Sequence, residues 1–231
     1  MKSIFLAGAI IAIALPASAS QIFVTPTGAT TSGGAVNAQA TFTASAGSLS
    51  ISLVDLFANP TDVAQLLSDL DFTVSLTGTT TLTSSGSLIT VNADGTTTAG
   101  ATGSTGWTFS SLGGNNYTLC DICGGGAGPA NLIIGPGPYT NANGSIAGNA
   151  AHNPFINQTA TFTLTNSSIT AATTVSNVVF SFGTVSGINV TGVPQQGDVP
   201  GGVPEPATAA LGGIGLVLTA VGVRARRRAQ K

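Results

Sequence analysis

In several stretches of this chain, apolar residues occupy every second position and Thr or Ser fills the positions between them. Leu49, Ile51 and Leu53, for example, alternate with three serines. Because successive side chains of a β-strand point to opposite faces, this pattern is typical of strands with one buried face and one face in water. We therefore predict an all-β domain, built as an antiparallel β-sandwich or jelly roll.

The apolar members of these stretches are the expected core. A shift of one residue in strand register would turn a whole apolar row into water, so the hydroxyl-bearing rows identify the solvent side. The expected core residues are Phe42, Ile51, Leu53, Phe72, Val74, Leu76, Phe162, Leu164, Phe180 and Phe182.

Turn residues divide the predicted strands. Residues 40–53 contain a glycine between two alternating runs and predict a hairpin, and Asp94-Gly95 predicts a second tight turn. Residues 72–82 are expected to form the longest strand. Residues 113–151 are rich in Gly, Pro and Asn and predict a long loop region, with a short strand at 132–134.

Residues 61–70 differ from the rest because their apolar residues recur at i, i+3, i+4 and i+7. This spacing places them on one face of a helix. The residues that carry it are Val63, Leu66, Leu67 and Leu70. We predict one short helix here, capping the end of the sheet.

The N-terminus has the organisation of a secretory signal peptide. Lys2 gives a positive start, residues 4–15 are apolar, and small residues follow up to Ala19. These features predict a signal peptide over residues 1–19 that is cleaved after Ala19, with a permanent N-terminal anchor as the alternative.

The rest of the chain divides into three segments. Residues 20–186 form the expected ectodomain, 187–202 a Gly/Pro-rich tether, and 203–231 a segment with an extended tripeptide, an apolar stretch and a basic tail. The apolar stretch, 207–223, would be roughly 25 Å long as a helix, at the short end of what spans a bilayer, and we predict that it is a C-terminal transmembrane helix that holds the protein in the membrane before processing. The tripeptide is Pro204-Glu205-Pro206, and the arginines expected to stop transfer are Arg224, Arg226, Arg227 and Arg228.

The extended tripeptide, the apolar stretch and the basic tail, in this order, resemble the PEP-CTERM sorting segment of exported proteins in Gram-negative bacteria. The resemblance covers residues 203–231 only. It implies export across the inner membrane, recognition of Pro204-Glu205-Pro206 by an exosortase, and release from the C-terminal helix. It also implies a place at the cell surface or in an exopolysaccharide-rich matrix, biofilm or floc. An anchor that is never cut is the alternative.

Charge is distributed unevenly along the chain. All six Lys and Arg residues lie at position 2 or within 224–231, whereas residues 20–206 hold all eight acidic residues and so carry a side-chain charge of −8. Basic ends around an acidic middle fit an exported ectodomain. Without basic side chains the ectodomain cannot neutralise phosphates, so we expect no nucleic-acid partner.

Cys120 and Cys123 form a C-x-x-C pair, the only cysteines of the chain. In an exported protein this pair favours a disulfide that closes a small loop. A redox site, a metal site or free thiols are the alternatives, although two cysteines do not complete a zinc site by themselves.

The remaining residues give little support for catalysis. His152 is the only histidine, and no set of nucleophile, base and orienting residue can be assembled around it. We expect a structural protein of the surface or matrix, with neither enzyme activity nor a cofactor. The alternative is a secreted carbohydrate-binding module or carbohydrate-active enzyme, which would need Trp107, Tyr117 and Tyr139 to cluster on one exposed face.

Overall fold

The structure is a computed structural model that describes residues 20–123, 131–140, 142, 144–149, 152–185 and 187–195. The described residues belong to one compact unit. Its strands are β1 (Ser20–Val24), β2 (Thr30–Thr31), β3 (Gly34–Ala35), β4 (Ala38–Ser45), β5 (Ser48–Asp55), β6 (Leu67–Val74), β7 (Thr81–Val91), β8 (Thr97–Gly103), β9 (Thr108–Gly113), β10 (Asn116–Cys120), β11 (Ile133–Ile134), β12 (Phe155–Thr165), β13 (Val175–Phe182), β14 (Asn189–Thr191) and β15 (Val193–Pro194).

The all-β prediction is confirmed, but the sheet is mixed rather than purely antiparallel. Thirteen strands are hydrogen-bonded into one network, and β2 and β3 form a separate pair. One run of strands has the order β15-β1-β4-β5-β12-β7-β8, and a second has the order β14-β13-β6-β10-β9. The short strand β11 joins the two runs, because it pairs parallel to β12 and antiparallel to β6. Every other strand pair is antiparallel.

The two runs share one hydrophobic core. Phe42 on β4 packs against Phe72 on β6, with ring centroids 5.4 Å apart. Trp107, just before β9, packs in the same way against Phe162 on β12, at 5.2 Å. All ten residues expected in the core are buried, from Phe42 at 0% exposure to Leu76 at 9%. The prediction from alternation is therefore confirmed on both runs.

The hairpin of β4 and β5 shows how alternation becomes structure. Residues 38–45 pair with residues 48–55 without a shift, and Gly47 takes a φ of +78° in the turn. That conformation strains residues with a Cβ atom and suits glycine. The register places Phe42 opposite Ile51 on the core side. The same register turns the hydroxyl residues of both strands outward.

The helix predicted over residues 61–70 is wrong. Only residues 63–65 are helical, as a single 3-10 turn, and β6 begins two residues later. The Gln65 side chain closes this turn by accepting the backbone N–H groups of Thr61 at 2.8 Å and Asp62 at 3.0 Å. The first four residues of β6 are all buried, so both faces of the strand are covered at this end. A strand buried on both faces loses its alternation, and here the result imitated helical spacing.

Other predicted boundaries also differ from the structure. The long strand expected over 72–82 is two strands, since β6 ends at Val74 and β7 begins at Thr81. The expected loop region 113–151 contains β10 as well as β11. Part of the expected tether is also sheet, because β14 pairs with β13 and β15 pairs with β1.

Several predicted segments lie outside the described residues. These are the signal peptide 1–19, residues 196–202 of the tether, and the segment 203–231 with its apolar stretch 207–223. Within the ranges that the structure describes, there is no helix of the length and apolarity that a membrane span requires.

Phe180 provides a direct test of the shared core. Its side chain is fully buried on β13, so truncation to alanine removes apolar contacts and leaves a cavity. We expect Phe180→Ala to lower the free energy of unfolding by about 3–5 kcal/mol in a denaturant titration. Val185→Ala is the matched control, since Val185 is 58% exposed and its loss should change stability by less than about 0.5 kcal/mol. Equal effects of the two changes would contradict this core.

Candidate functional site

One face of the first strand run is a regular array of hydroxyl groups. Across β4, β5, β12 and β7, the outward positions stand side by side in three rows. None of these side chains is buried, and none carries a charge. We call this array the hydroxyl face. Its rows are Thr41, Ser52, Thr161 and Ser85; Thr43, Ser50, Thr163 and Thr83; and Ser45, Ser48, Thr165 and Thr81.

The spacing of the hydroxyl face follows from sheet geometry. Neighbouring strands lie about 4.7–4.9 Å apart, and residues two apart along a strand lie about 6.6–6.8 Å apart. Four strands and three rows therefore cover roughly 14 by 13 Å. The array repeats in both directions, so it suits a ligand that itself has a repeating structure.

Most hydroxyl groups of this face are available to an external partner. Thr43 shares a hydrogen bond of 2.9 Å with Ser20, and Thr41 accepts one of 3.3 Å from the Gln39 amide. Ser45 lies 3.5 Å from a backbone carbonyl. For the other nine side chains, the described residues provide no hydrogen-bond partner. Each hydroxyl can both donate and accept, so the face can bind a polyhydroxylated ligand without a charged group.

The Cys120–Cys123 pair lies on the second strand run. The two cysteines form a disulfide, with their Cα atoms 5.6 Å apart. Cys120 is the buried last residue of β10, whereas Cys123 is exposed. The pairing of β10 with β6 places Cys120 opposite Asp69, and an oxygen of Asp69 and both sulfur atoms lie within 4.8 Å of one another. A metal ion would need the sulfurs as thiolates, and here they are bonded to each other.

Two carboxyl groups beside this disulfide titrate unusually. Burial raises the pKa of Asp69 to about 6, although backbone N–H groups of Asp121 and Ile122 oppose the shift. The nearby acidic groups Asp71 and Asp121 raise the pKa of Asp69 further. Burial also raises the pKa of Asp121 to about 6, against the lowering effect of the Asn131 N–H and of His152. Both carboxyl groups therefore lose their protons close to pH 6 rather than near pH 4.

A third buried carboxyl group lies where β11 joins the two strand runs. Burial raises the pKa of Asp55 well above its ordinary value, while backbone N–H groups of Phe57, Leu67 and Gly135 lower it. The Phe57 N–H donates to Asp55 Oδ1 at 3.0 Å. Gly135 has to be glycine here, because a Cβ atom would collide with the Phe57 carbonyl. Tyr139 lies at the same junction, where its hydroxyl group donates to the Gly135 carbonyl at 2.8 Å. Burial raises the pKa of Tyr139 to about 12.

The aromatic residues do not form an exposed platform. Trp107 is 4% exposed, and its indole N–H donates to the Asn131 carbonyl at 3.0 Å. Tyr139 is 3% exposed. Tyr117 is half-buried and stacks on Phe109, with ring centroids 5.0 Å apart. These three side chains are separated and turned into the protein, so they do not provide the sugar-stacking surface that a typical carbohydrate-binding module would need.

The structure brings together only some of the residues singled out by sequence. It joins Cys120 and Cys123 and adds Asp69, which the cysteine motif alone did not indicate. Pro204, Glu205 and Pro206 lie outside the described residues, as do Arg224, Arg226, Arg227 and Arg228. The threonine and serine rows could be recognised in sequence, but their alignment into one face could not.

No protein-family model, curated protein or solved structure matches this chain.

The raised pKa values predict how stability depends on pH. Between about pH 4 and pH 6, folded Asp69 and Asp121 keep protons that the unfolded chain has lost. Their contribution to the free energy of unfolding is therefore greatest near pH 4 and falls as pH rises through 6. We expect Asp69→Asn to weaken this fall, measured as melting temperature against pH.

Asp94→Asn is the control for this measurement. Asp94 is exposed, and its hydrogen bonds to Thr96 lower its pKa, so its own contribution is lost only below about pH 4. This control should keep the fall between pH 4 and 6. A pH profile of Asp69→Asn identical to that of the unchanged protein would contradict the prediction.

Proposed function

We propose that this chain is an exported, exosortase-processed structural protein of the cell surface or extracellular matrix of a Gram-negative bacterium, without catalytic activity. The signal-peptide pattern of residues 1–19 supports export. The Pro-Glu-Pro tripeptide, apolar stretch and basic tail of residues 203–231 support sorting and release. The charge distribution supports the same orientation, because both basic ends would remain on the cytoplasmic side during transfer.

The hydroxyl face is the observation that carries the proposed role in a matrix. Twelve outward hydroxyl side chains in register offer donors and acceptors to a neutral polysaccharide, the partner that we propose. Residues 20–206 hold eight acidic residues and no Lys or Arg, so their net negative charge would repel a polyanion. Each hydrogen bond replaces one to water and contributes only about 0.5–1.5 kcal/mol. Binding should therefore depend on many weak contacts along a repeating polymer.

Sheet geometry favours a flexible chain over a crystalline surface as the partner. Adjacent strands are normally rotated by roughly 20–25° relative to each other, so four strands do not present a flat plane. A polysaccharide chain can follow such a twist, whereas the face of a crystal cannot.

For the fold itself, the two strand runs on either side of a shared core support the sandwich form of the all-β prediction.

A secreted carbohydrate-binding module or carbohydrate-active enzyme remains the alternative function. The burial of Trp107 and Tyr139 gives that alternative no aromatic platform. One open cleft lies beside the end of β6 and the start of β13, and its lining is mainly hydroxyl side chains and includes no carboxylate or histidine. Hydrolysis of a glycosidic bond requires two suitably placed carboxyl groups. The hydroxyl face consequently supports binding better than this cleft supports catalysis.

The sorting proposal predicts a specific processing pattern. Protein isolated from the surface fraction of producing cells should begin near Ser20 and lack residues 224–231. Replacing Pro204-Glu205-Pro206 by three alanines should leave the C-terminal tail attached, because the processing site is lost. Intact-mass measurement of both proteins tests this directly. A tail retained by most molecules of the unchanged protein would overturn the proposal.

The binding proposal predicts that removing hydroxyl groups weakens polysaccharide retention. Thr161→Val combined with Thr163→Val keeps the side-chain shape and removes two hydroxyls from the centre of the face. We expect a loss of roughly 1–3 kcal/mol in binding to a neutral polysaccharide such as dextran, or about 5- to 150-fold. Affinity electrophoresis in dextran-containing gels gives the measurement.

Thr174→Val combined with Thr191→Val is the matched control. Both threonines are exposed and lie away from the hydroxyl face, so this variant should bind as the unchanged protein does. Retention on alginate, an anionic polymer, should be weaker than on dextran. Stronger retention on alginate would contradict a neutral polysaccharide as the partner. Equal losses for the two double variants would exclude the hydroxyl face as the binding surface.

A further inference from the structure

The Cys120–Cys123 disulfide has two unlike sulfur atoms. Cys123 is exposed after the end of β10, whereas Cys120 is 1% exposed at the strand end. An external thiolate can therefore reach Cys123 Sγ but not Cys120 Sγ. Opening the disulfide by attack at Cys123 would leave the negative charge on the buried sulfur of Cys120. A buried thiolate is unfavourable unless it is protonated or paired with a cation.

Asp69 is placed to supply that proton. Its carboxyl group and both sulfur atoms lie within 4.8 Å of one another, a separation that one bridging water or a small side-chain rotation closes. Asp69 is held there by the register of β6 with β10, and its Oδ1 accepts the Asp121 N–H at 3.2 Å. No Lys or Arg occurs between residues 3 and 223, so neither of these side chains can stabilise the thiolate instead.

We propose that Cys120–Cys123 is an exchangeable disulfide, attacked at Cys123 by a neutral small-molecule thiol, with the Asp69 carboxyl protonating the departing sulfur of Cys120. This activity goes beyond the proposed structural function and does not depend on it. In the first step, the thiolate bonds to Cys123 Sγ, the Cys120–Cys123 bond breaks, and its electron pair goes to Cys120 Sγ. The proton on that sulfur comes from Asp69. A second thiolate then attacks the mixed disulfide, which releases the oxidised thiol and leaves Cys123 reduced.

The charges around the site select the type of thiol. Asp71 lies on the same strand as Asp69, Asp121 follows β10, and His152 interacts with Asp121. The strand on the other side of β6 is β13, and it places Ser181 opposite Asp69 and contributes no titratable side chain. An anionic thiol such as glutathione would be repelled by the three carboxylates. A thiol such as 2-mercaptoethanol carries no charge apart from that of its attacking thiolate, so the carboxylates repel it less.

The protonation state of Asp69 gives the proposed step a measurable signature. The pKa of this carboxyl group, raised to about 6 by burial, leaves it largely protonated at pH 5 and ionised at pH 7. With the reaction rate expressed per thiolate, the disulfide should open faster at pH 5 than at pH 7. Asp69→Asn removes both the proton and the negative charge of this side chain. If Asp69 acts by donating a proton, the variant opens more slowly at pH 5. If Asp69 acts only by repelling the thiolate, the variant opens faster at pH 7.

The experiment uses the full chain in mild detergent, with 2-mercaptoethanol as the probe. The rate of opening is followed by alkylation and mass measurement from pH 5 to pH 8. We expect Asp69→Asn to open about tenfold or more slowly than the unchanged protein at pH 5, and to lose the pH dependence. Asp94→Asn, a change at an exposed turn, should behave as the unchanged protein. Circular dichroism confirms that each variant is folded.

Three results would overturn the proposal. The first is an Asp69→Asn protein that opens at every pH as fast as the unchanged protein does at pH 5, which would mean that Asp69 acts only by repulsion. The second is a peptide map in which the mixed disulfide is on Cys120. The third is a disulfide that opens only after the protein is denatured, which would leave it a purely structural link. Glutathione should react more slowly than 2-mercaptoethanol per thiolate, with a difference that shrinks as salt is added.

Discussion

Strand register is the constraint on which the rest of this structure depends. Because side chains alternate between the faces of a strand, one choice of register sets both the apolar row and the hydroxyl row. On β4 and β5, the pairing that buries Phe42 against Ile51 also aligns Thr41 with Ser52 on the outside. The core and the hydroxyl face are therefore two consequences of the same pairing. A shift of register that disturbed the core would therefore also misalign the hydroxyl face.

The carboxyl group with the proposed chemical role lies where the alternation of buried and exposed residues breaks down. At the start of β6 both faces are covered, so Ser68 and Asp69 are buried beside Leu67 and Leu70. A carboxyl group in such a place pairs with N–H groups or keeps its proton. Asp69 does both, and the pairing of β6 with β10 brings it to the disulfide. The unusual titration and the proposed proton transfer thus have one structural origin, a strand enclosed from both sides.

Sequence reasoning succeeded where structure is local and failed where it is not. The ten expected core residues and the first hairpin could be predicted, because alternation and turn residues are visible within a few positions. The helix over 61–70 could not be rejected, since helical spacing and a strand buried on both faces give the same apolar pattern. The partners of β14 and β15 could not be predicted, because β15 pairs with β1 across about 170 residues and no local pattern records such a pairing. The meeting of Asp69 with Cys120 likewise comes from a pairing across about 50 residues, which no local motif records.

The lack of Lys and Arg in the β domain connects these features. With no Lys or Arg between residues 3 and 223, a buried carboxyl group cannot be neutralised by an ion pair with either. Asp55, Asp69 and Asp121 are accordingly met by backbone N–H groups, and burial raises the pKa of each. As pH falls through about 6, Asp69 and Asp121 take up protons and the β domain loses part of its negative charge. Repulsion between neighbouring copies then weakens, while the hydroxyl face, which has no titrating group, is unchanged. Copies of this protein can therefore pack more densely at mildly acidic pH without altering the surface through which we propose it binds polysaccharide.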